Sequence, residues 1–440
     1  MFKKLLFLSA IGISGMALSQ NTVKDKMSDY LDSLLVHHKV MGSFAFAEND
    51  HPTFVKVVGF ADVEKSQKAN VNTQYRVGSI SKTFTAVLVM KAVEEKKISL
   101  DKKLSDFYPE IPNADKITIE HLLQHRTGIH NLTDEGEYLQ YNTKPQTENS
   151  LIDIIKKYQS DFEPGSKHAY SNSNYILLGF ILEKIYKKSY TEIVKEKITK
   201  PLKLTLTEVG GKIDPSKNQA KSYQFVNGKY EASTETDMSI PIGAGNIIST
   251  PRELLTFILG LEKGKLLKKE NVAKMKNFVD GYGYGLIKVP FGKEWGYGHT
   301  GGIDNFSSAL YYFPTLKVAM AFTINQSNTD TNDISIKLIE TALGKDFEIP
   351  GFKTIEIPES ELQKYTGTYS SPNIPLKINI FIQDKKLMAQ ATGQSAFPLE
   401  ATSDTNFTFD KAGIEINFYP EKNQFIIMQG GTKNTFTKEK

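Results

Sequence analysis

The sequence predicts an α/β domain followed by a small all-β, barrel-like domain, and three observations carry that reading. Strand-like segments lie at both ends of the first 345 residues, SFAFAEN near the start and SSALYYFP with VAMAFTIN late on, with helical patterns between them. Beyond Phe352, short β-rich segments recur at regular spacing with no convincing helix. The length, 440 residues, exceeds the about 250–300 residues at which a single core stops growing, so two domains are expected. Strands at the two ends imply one sheet closed by distant parts of the chain.

In chain order, the first element is MFKKLLFLSAIGISGMALSQ, where Lys3 and Lys4 precede an apolar stretch ending in the small residues Ala17 and Ser19. That pattern predicts a secretory signal peptide over 1–19 with cleavage near Gln20, hence an exported protein, periplasmic or secreted. A membrane anchor needs about 20 apolar residues, and this stretch is shorter and broken by Ser9, Gly12, Ser14 and Gly15. The chain has no cysteine, which excludes disulfides, a thiol nucleophile, lipid attachment at the cleavage site and cysteine-ligated zinc. The net charge of +4 is spread along the chain without a basic run, so neither nucleic acid nor an anionic membrane is indicated as a partner.

The larger domain is expected over 20–350. The segment SISKTFTAVLVMKAVEEKKI, from Ser79 to Ile98, is apolar and then charged, and reads as a buried helix emerging into solvent. Helical patterns also cover 151–159, 174–187 and 252–262. The Pro- and Gly-containing stretch from Gly344 to Ser360 reads as a connection, with the boundary near Phe352. The all-β domain, 351–440, carries LKINIFIQ, KLMAQATG, NFTFD, IEINFYP and QFIIMQG, separated by QDKK, DKAG and PEKN turns.

Three short motifs carry candidate chemistry. Ser79 follows Gly78 at a helix start and Lys82 lies three residues later, so both project from one face of the first turn. A serine hydroxyl needs a neighbour to take its proton, and a buried lysine with a lowered pKa can do so, while helix-end N–H groups can hold an oxyanion. The same spacing recurs as Ser99-Leu100-Asp101-Lys102, but in the polar segment KKISLDKKLSDF, where a solvated turn is expected. The second motif, Tyr170-Ser171-Asn172, lies in a polar loop running into an apolar helix, where it can serve a site or, through Ser171, Asn172 or Ser173, cap the helix. The third, His299-Thr300-Gly301-Gly302, is a Gly-rich lead into a strand, suited either to close approach of a ligand or to a plain hairpin turn.

The order S-x-x-K, Y-x-N, [KH]-T-G resembles the three active-site motifs of serine β-lactamases and penicillin-binding proteins. Framing segments add to this: YRVGSISKTFTA, ITIEHLLQHRTGI at 117–129, EPGSKHAYSNSNYILLG at 163–179, KPLKL at 200–204 and AGNIISTPREL at 244–254. Together they are most similar to the class C β-lactamase-related group, over roughly residues 25–345, and QKYTGTYSS with the strands after it resembles a lipocalin-like domain appended to some members. The resemblance implies an antiparallel sheet flanked by helices plus a helical subdomain. It also implies an acyl-enzyme on Ser79, proton transfers shared by Lys82 and Tyr170, and Asn172 holding the substrate's amide or acyl side. Thr300 and Gly301 would contact substrate, and the N–H groups of Ser79 and Gly302 would form the oxyanion hole.

One departure bears on the substrate. His299 stands where penicillin-recognising members carry lysine, and an imidazole with an ordinary pKa of about 6.5 is a weak carboxylate anchor at neutral pH. The expected activity is therefore that of an esterase, D-aminopeptidase or D,D-peptidase-like hydrolase on a small-molecule or peptide substrate. A true β-lactamase, or an inactive ligand-binding relative, is the alternative. No cofactor or metal is expected: His121 and His125 have the spacing of two zinc ligands, but Leu122 stands where a zinc protease needs glutamate. No G-x-S-x-G occurs in the mature chain, which excludes a nucleophile elbow, and Lys411-Ala412-Gly413 falls in a turn of the tail. Trp295 and Tyr297, beside His299, read as pocket or core aromatics.

Overall fold

Strand-forming runs from the two ends of the larger segment meet in one sheet. The computed structural model describes residues 8–352 and 354–439, with side chains from Thr22 onward; the leader expected over 1–19 lies outside the described side chains. The site-bearing elements, in chain order, are α1 (Leu8–Val36), β1 (Val40–Glu48), β2 (His51–Val58), α2 (Ser81–Glu94), α3 (Ile119–Leu123), α4 (Glu148–Lys156) and α5 (Asn172–Tyr186). They continue with β3 (Tyr223–Val226), β4 (Lys229–Ala232), α6 (Pro251–Glu262), β5 (Ile287–Phe291), β6 (Glu294–Ile303), β7 (Phe306–Phe313) and β8 (Val318–Ser327). The main sheet is antiparallel throughout, in the order β5-β6-β7-β8-β1-β2. The strand nearest the start of the sheet segment, β1, pairs with the last, β8, in a register that sets Phe44 opposite Phe322.

The central strands β1 and β8 are buried along almost their whole length, as expected of strands covered on both faces. Helix α6 packs against both, and α1 packs against β1 and its neighbour β2. Helix α2 is apolar on every side and is buried from Ser81 to Met90, so it forms the centre of the core; Phe84 stacks on Phe257 of α6 at 3.8 Å between ring centres. The helix stops at Glu94, short of the Ile98 suggested by the pattern. The run Glu94-Glu95-Lys96-Lys97 offers nothing to bury, and Lys96 takes a left-handed conformation with φ +56°. The periodic runs at 151–159, 174–187 and 252–262 form α4, α5 and α6, shifted towards their N-terminal caps by one to three residues.

Contacts divide the chain into two compact units, one of residues 1–327 and 335–346, the other of 328–334 and 347–440. The second is built on a nine-stranded antiparallel sheet whose two edge strands are Phe397–Pro398 and Glu400–Ala401. Only Leu399 separates these edges in sequence, so the sheet curls back on itself and nearly closes into a barrel. Tyr365, Tyr369, Phe407, Phe418, Phe425 and Phe436 fill its interior. Lys411 lies in a single turn of this unit, Asp410–Ala412.

Candidate active site

Ser79 sits in one 3-10 turn, Gly78–Ile80, that leads directly into α2 at Ser81. The S-x-x-K pair thus spans a turn and a helix, and Lys82 Nζ still comes to 3.1 Å from Ser79 Oγ. Two glycines let β6 lie against this turn. Gly78 has φ +49°, and a Cβ on it would stand 2.8 Å from Gly302 N. A Cβ on Gly301 would stand 2.0 Å from the Val77 carbonyl oxygen and 3.0 Å from Ser79 N. Ser308 on β7 adds a hydrogen bond from its Oγ to Val77 O at 2.8 Å. The backbone of Gly302 is thereby brought beside the Ser79 turn, where two N–H groups can face one oxyanion.

Lys82 is fully buried, and burial pulls its pKa well below that of an ordinary lysine. Its Nζ contacts Asn172 Oδ1 at 2.7 Å and Ala244 O at 2.9 Å besides Ser79 Oγ. The first two atoms can only accept. A neutral amine therefore spends its two N–H bonds on them and turns its lone pair to the serine hydroxyl. From the other side, Tyr170 OH donates to Ser79 Oγ at 2.8 Å. Tyr170 keeps 37% of its surface exposed, yet His125, Tyr282 and Lys82 crowd its ring, and burial raises its phenol pKa so that it stays protonated.

Asn172 opens α5, and its side chain is engaged at both ends. The carbonyl takes Lys82, while Nδ2 donates to Thr133 Oγ1 at 3.1 Å and Asn131 Oδ1 at 3.3 Å. Asn172 lines the cleft, but the amide expected to hold substrate is committed to orienting the lysine. The capping alternative also resolves: Ser171 is the N-cap residue without a side-chain capping bond, and Ser171 and Ser173 both donate to His130 O.

His299 was expected to face the substrate, and its position is different. It is 3% exposed on β6, and burial, followed by the nearby Lys82 charge, holds its pKa down to about 3. Its partners assign the protons along a chain. His125 Nδ1 accepts from Ser171 N–H at 3.1 Å, so His125 carries its proton on Nε2 and donates to Tyr282 OH at 3.2 Å. Tyr282 OH then donates to His299 Nε2 at 3.0 Å, and His299 Nδ1–H donates to Thr300 O at 2.5 Å. Both imidazoles are neutral and both nitrogens of His299 are used within the protein, so this side chain offers no group to the cleft. Thr300, next along the strand, points the other way and is exposed.

The cleft beside Ser79 has a volume of about 560 Å³ and includes Asn172, Gly302 and an apolar wall of Leu132, Tyr138, Leu139 and Ile176. Sequence reasoning missed His125, Tyr282 and Ala244. The sequence marks His125 only by its place in the 117–129 segment and Ala244 only as the first residue of the 244–254 segment, and it gives neither a role; Tyr282 carries no signal. His121 supports the start of α3 through a capping box with Thr118. Among the described residues no cluster of three His, Asp or Glu side chains could hold a metal ion.

The model of the Beta-lactamase family matches residues 27–342. Teichoic acid D-alanine hydrolase of Staphylococcus aureus is 26% identical over 309 residues, covering 69% of this chain and 74% of that protein. Among solved structures, a D-stereospecific amidohydrolase from Streptomyces sp. aligns at TM-score 0.60 with 27% identity, over 74% of this chain and 98% of that one. The penicillin-binding protein homologue from Pyrococcus abyssi aligns at TM-score 0.66 with 24% identity, over 94% of this chain and 99% of that one.

Proposed function

Because the chain belongs to the β-lactamase family and is a serine hydrolase, we propose that it cleaves D-aminoacyl esters or amides through an acyl-enzyme on Ser79. The observation that carries this is the placement of Ser79 Oγ between a buried amine, Lys82, and a protonated phenol, Tyr170. The D-aminoacyl preference draws on the names of its relatives, a D-alanine hydrolase and a D-stereospecific amidohydrolase.

In this reading Ser79 Oγ bonds to the scissile carbonyl carbon as its proton passes to Lys82 Nζ. The carbonyl oxygen becomes an oxyanion held by the N–H groups of Ser79 and Gly302. Collapse breaks the bond to the leaving group, which takes a proton from Tyr170, and Lys82 returns its proton to the phenolate. Water then attacks the acyl-enzyme by the same route and releases the acid. Lys82 is the base here because its pKa moves down towards neutrality, whereas that of Tyr170 moves away from it. Asn172 and Ala244 hold the amine in place. Export after removal of the leader belongs to the same proposal, as does a lipocalin-like character for the tail, which its nearly closed sheet supports.

The test is a panel of 4-nitrophenyl esters, D- and L-aminoacyl 4-nitroanilides and a cephalosporin. Turnover is expected for the ester and the D-anilide, with the cephalosporin slowest. A cephalosporin cleaved faster than both would replace this reading with a β-lactamase.

A further inference from the structure

The cleft wall opposite the helical side is a two-stranded hairpin, β3 and β4, and its register decides what it presents. Gln224 pairs with Glu231, and Phe225 pairs with Tyr230. Successive residues of a strand face opposite sides. Phe225 and Tyr230 take one side, where Phe225 stacks on His38 at 4.2 Å and Tyr230 OH bonds His38 Nδ1 at 2.9 Å. Gln224 and Glu231 therefore share the other, and both line the cleft that contains Ser79.

Two acids line that cleft, and their states differ. Asp304 is committed: its Oδ2 takes Arg76 at 2.8 Å and its Oδ1 takes Thr236 N and Oγ1. The Glu231 carboxylate is exposed and makes no hydrogen bond or ion pair with a described residue. No lysine, arginine or histidine lines this cavity. With His299 sealed by Tyr282 and Thr300, the cavity presents one free charge, and it is negative.

We infer that Glu231 is a specificity residue that binds the ammonium group of the substrate, so that the cleft selects esters and amides carrying a free amine. The inference rests on the proposed hydrolase reading and adds to it a recognised group and a residue. A carboxylate opposite a solvated ammonium contributes a modest, screened attraction, about fivefold in affinity at low salt. It also steers cationic substrates towards the cleft.

The experiment uses the full chain and two matched substrate pairs: D-alanine 4-nitroanilide against its N-acetyl form, and 6-aminohexanoyl 4-nitroanilide against hexanoyl 4-nitroanilide. The pairs place the ammonium near to and far from the scissile carbon. In at least one pair, the ratio of kcat/KM for the free amine to that of its uncharged partner is expected to fall about fivefold in Glu231→Gln. It should recover in part in Glu231→Asp and converge with the wild type in 1 M salt, the change appearing in KM rather than kcat. Ratios that stay within twofold of wild type for both pairs, or a wild-type preference for both uncharged partners, would overturn the assignment. Failure of the hydrolase reading is seen separately, as 4-nitrophenyl acetate turnover that survives Ser79→Ala.

Discussion

Ser79 and Ser99 both stand three residues before a lysine, and the structure gives the two pairs opposite fates. Ser79 lies in a turn under β6, and Lys82 is fully buried against two acceptor oxygens, with no carboxylate to neutralise it. Ser99 is exposed in a loop, and its hydroxyl serves the neighbouring Asp101 carboxylate, whose pKa it lowers. Lys102 is 45% exposed and pairs with Asp106 at 2.7 Å. A lysine held in the core without a counter-charge, as Lys82 is, can take a proton from a neighbouring hydroxyl, because burial disfavours its charged form and leaves the amine free as a base. The motif is therefore a statement about spacing, and the environment decides whether it is chemistry.

The largest expected effect comes from the exchange of the two serines. Ser79→Ala should lower kcat/KM for an ester by on the order of 10³-fold or more, with Tm unchanged, whereas Ser99→Ala should match wild type. Next come the partners of Ser79. Lys82→Ala and Tyr170→Phe should each lower acylation by roughly 10²- to 10⁴-fold, and the double variant should be little worse than the weaker single one. Fully multiplicative losses in single-turnover kinetics would separate the two residues into independent roles.

The pH profile sharpens the same contrast. With Lys82 as a free-amine base, kcat/KM should rise with pH as the amine loses its proton, and this limb should lie well below 10.5. A lowered folded-state pKa means that the active, neutral form persists into more acidic solution. His299, held down to about 3, should contribute no limb near neutrality. An acid limb near the ordinary histidine value of about 6.5 that disappears in His299→Gln would contradict the buried chain.

Smaller effects are expected from that chain. Tyr282→Phe leaves His125 Nε2–H without an acceptor and His299 Nε2 without a donor, at about 1–3 kcal/mol of stability, read in urea unfolding. The activity loss should be about tenfold in kcat with KM little changed, because the altered wall lies behind Tyr170 rather than in the cleft. His299→Lys should not create a carboxylate anchor. It would place an ammonium in a dry pocket beside Lys82, so lower Tm and no gain in cephalosporin turnover are expected.

Much of this was legible in the sequence because it depends on patterns that burial enforces. The strands at the two ends of the larger unit are apolar runs that only a covered central sheet can hold, and β1 beside β8 is that sheet. Ser79, Lys82 and Tyr170 were marked by motif order, and the structure brings Lys82 and Tyr170 each within hydrogen-bonding distance of the Ser79 hydroxyl. What stayed hidden depends on orientation across the fold. Whether His299 faces substrate or core follows from strand alternation and from Tyr282 lying opposite it, and neither follows from H-T-G-G alone. The commitment of Asn172 to Lys82 likewise depends on Asn131 and Thr133, about 40 residues away, fixing which end of its amide turns to the amine. Glu231 carried no motif; its hairpin becomes significant only when Phe225 and Tyr230 claim the opposite face.

In this enzyme Ser79 alone is expected to form the covalent intermediate, activated by an uncharged Lys82. The intact mass and peptide map of the full chain after brief exposure to a fluorophosphonate read this out. A single adduct is expected on the peptide bearing Ser79, in wild type and Ser99→Ala alike, forming far more slowly in Lys82→Ala and absent in Ser79→Ala. An adduct on any other residue at comparable rate, or undiminished labelling in Lys82→Ala, would contradict it.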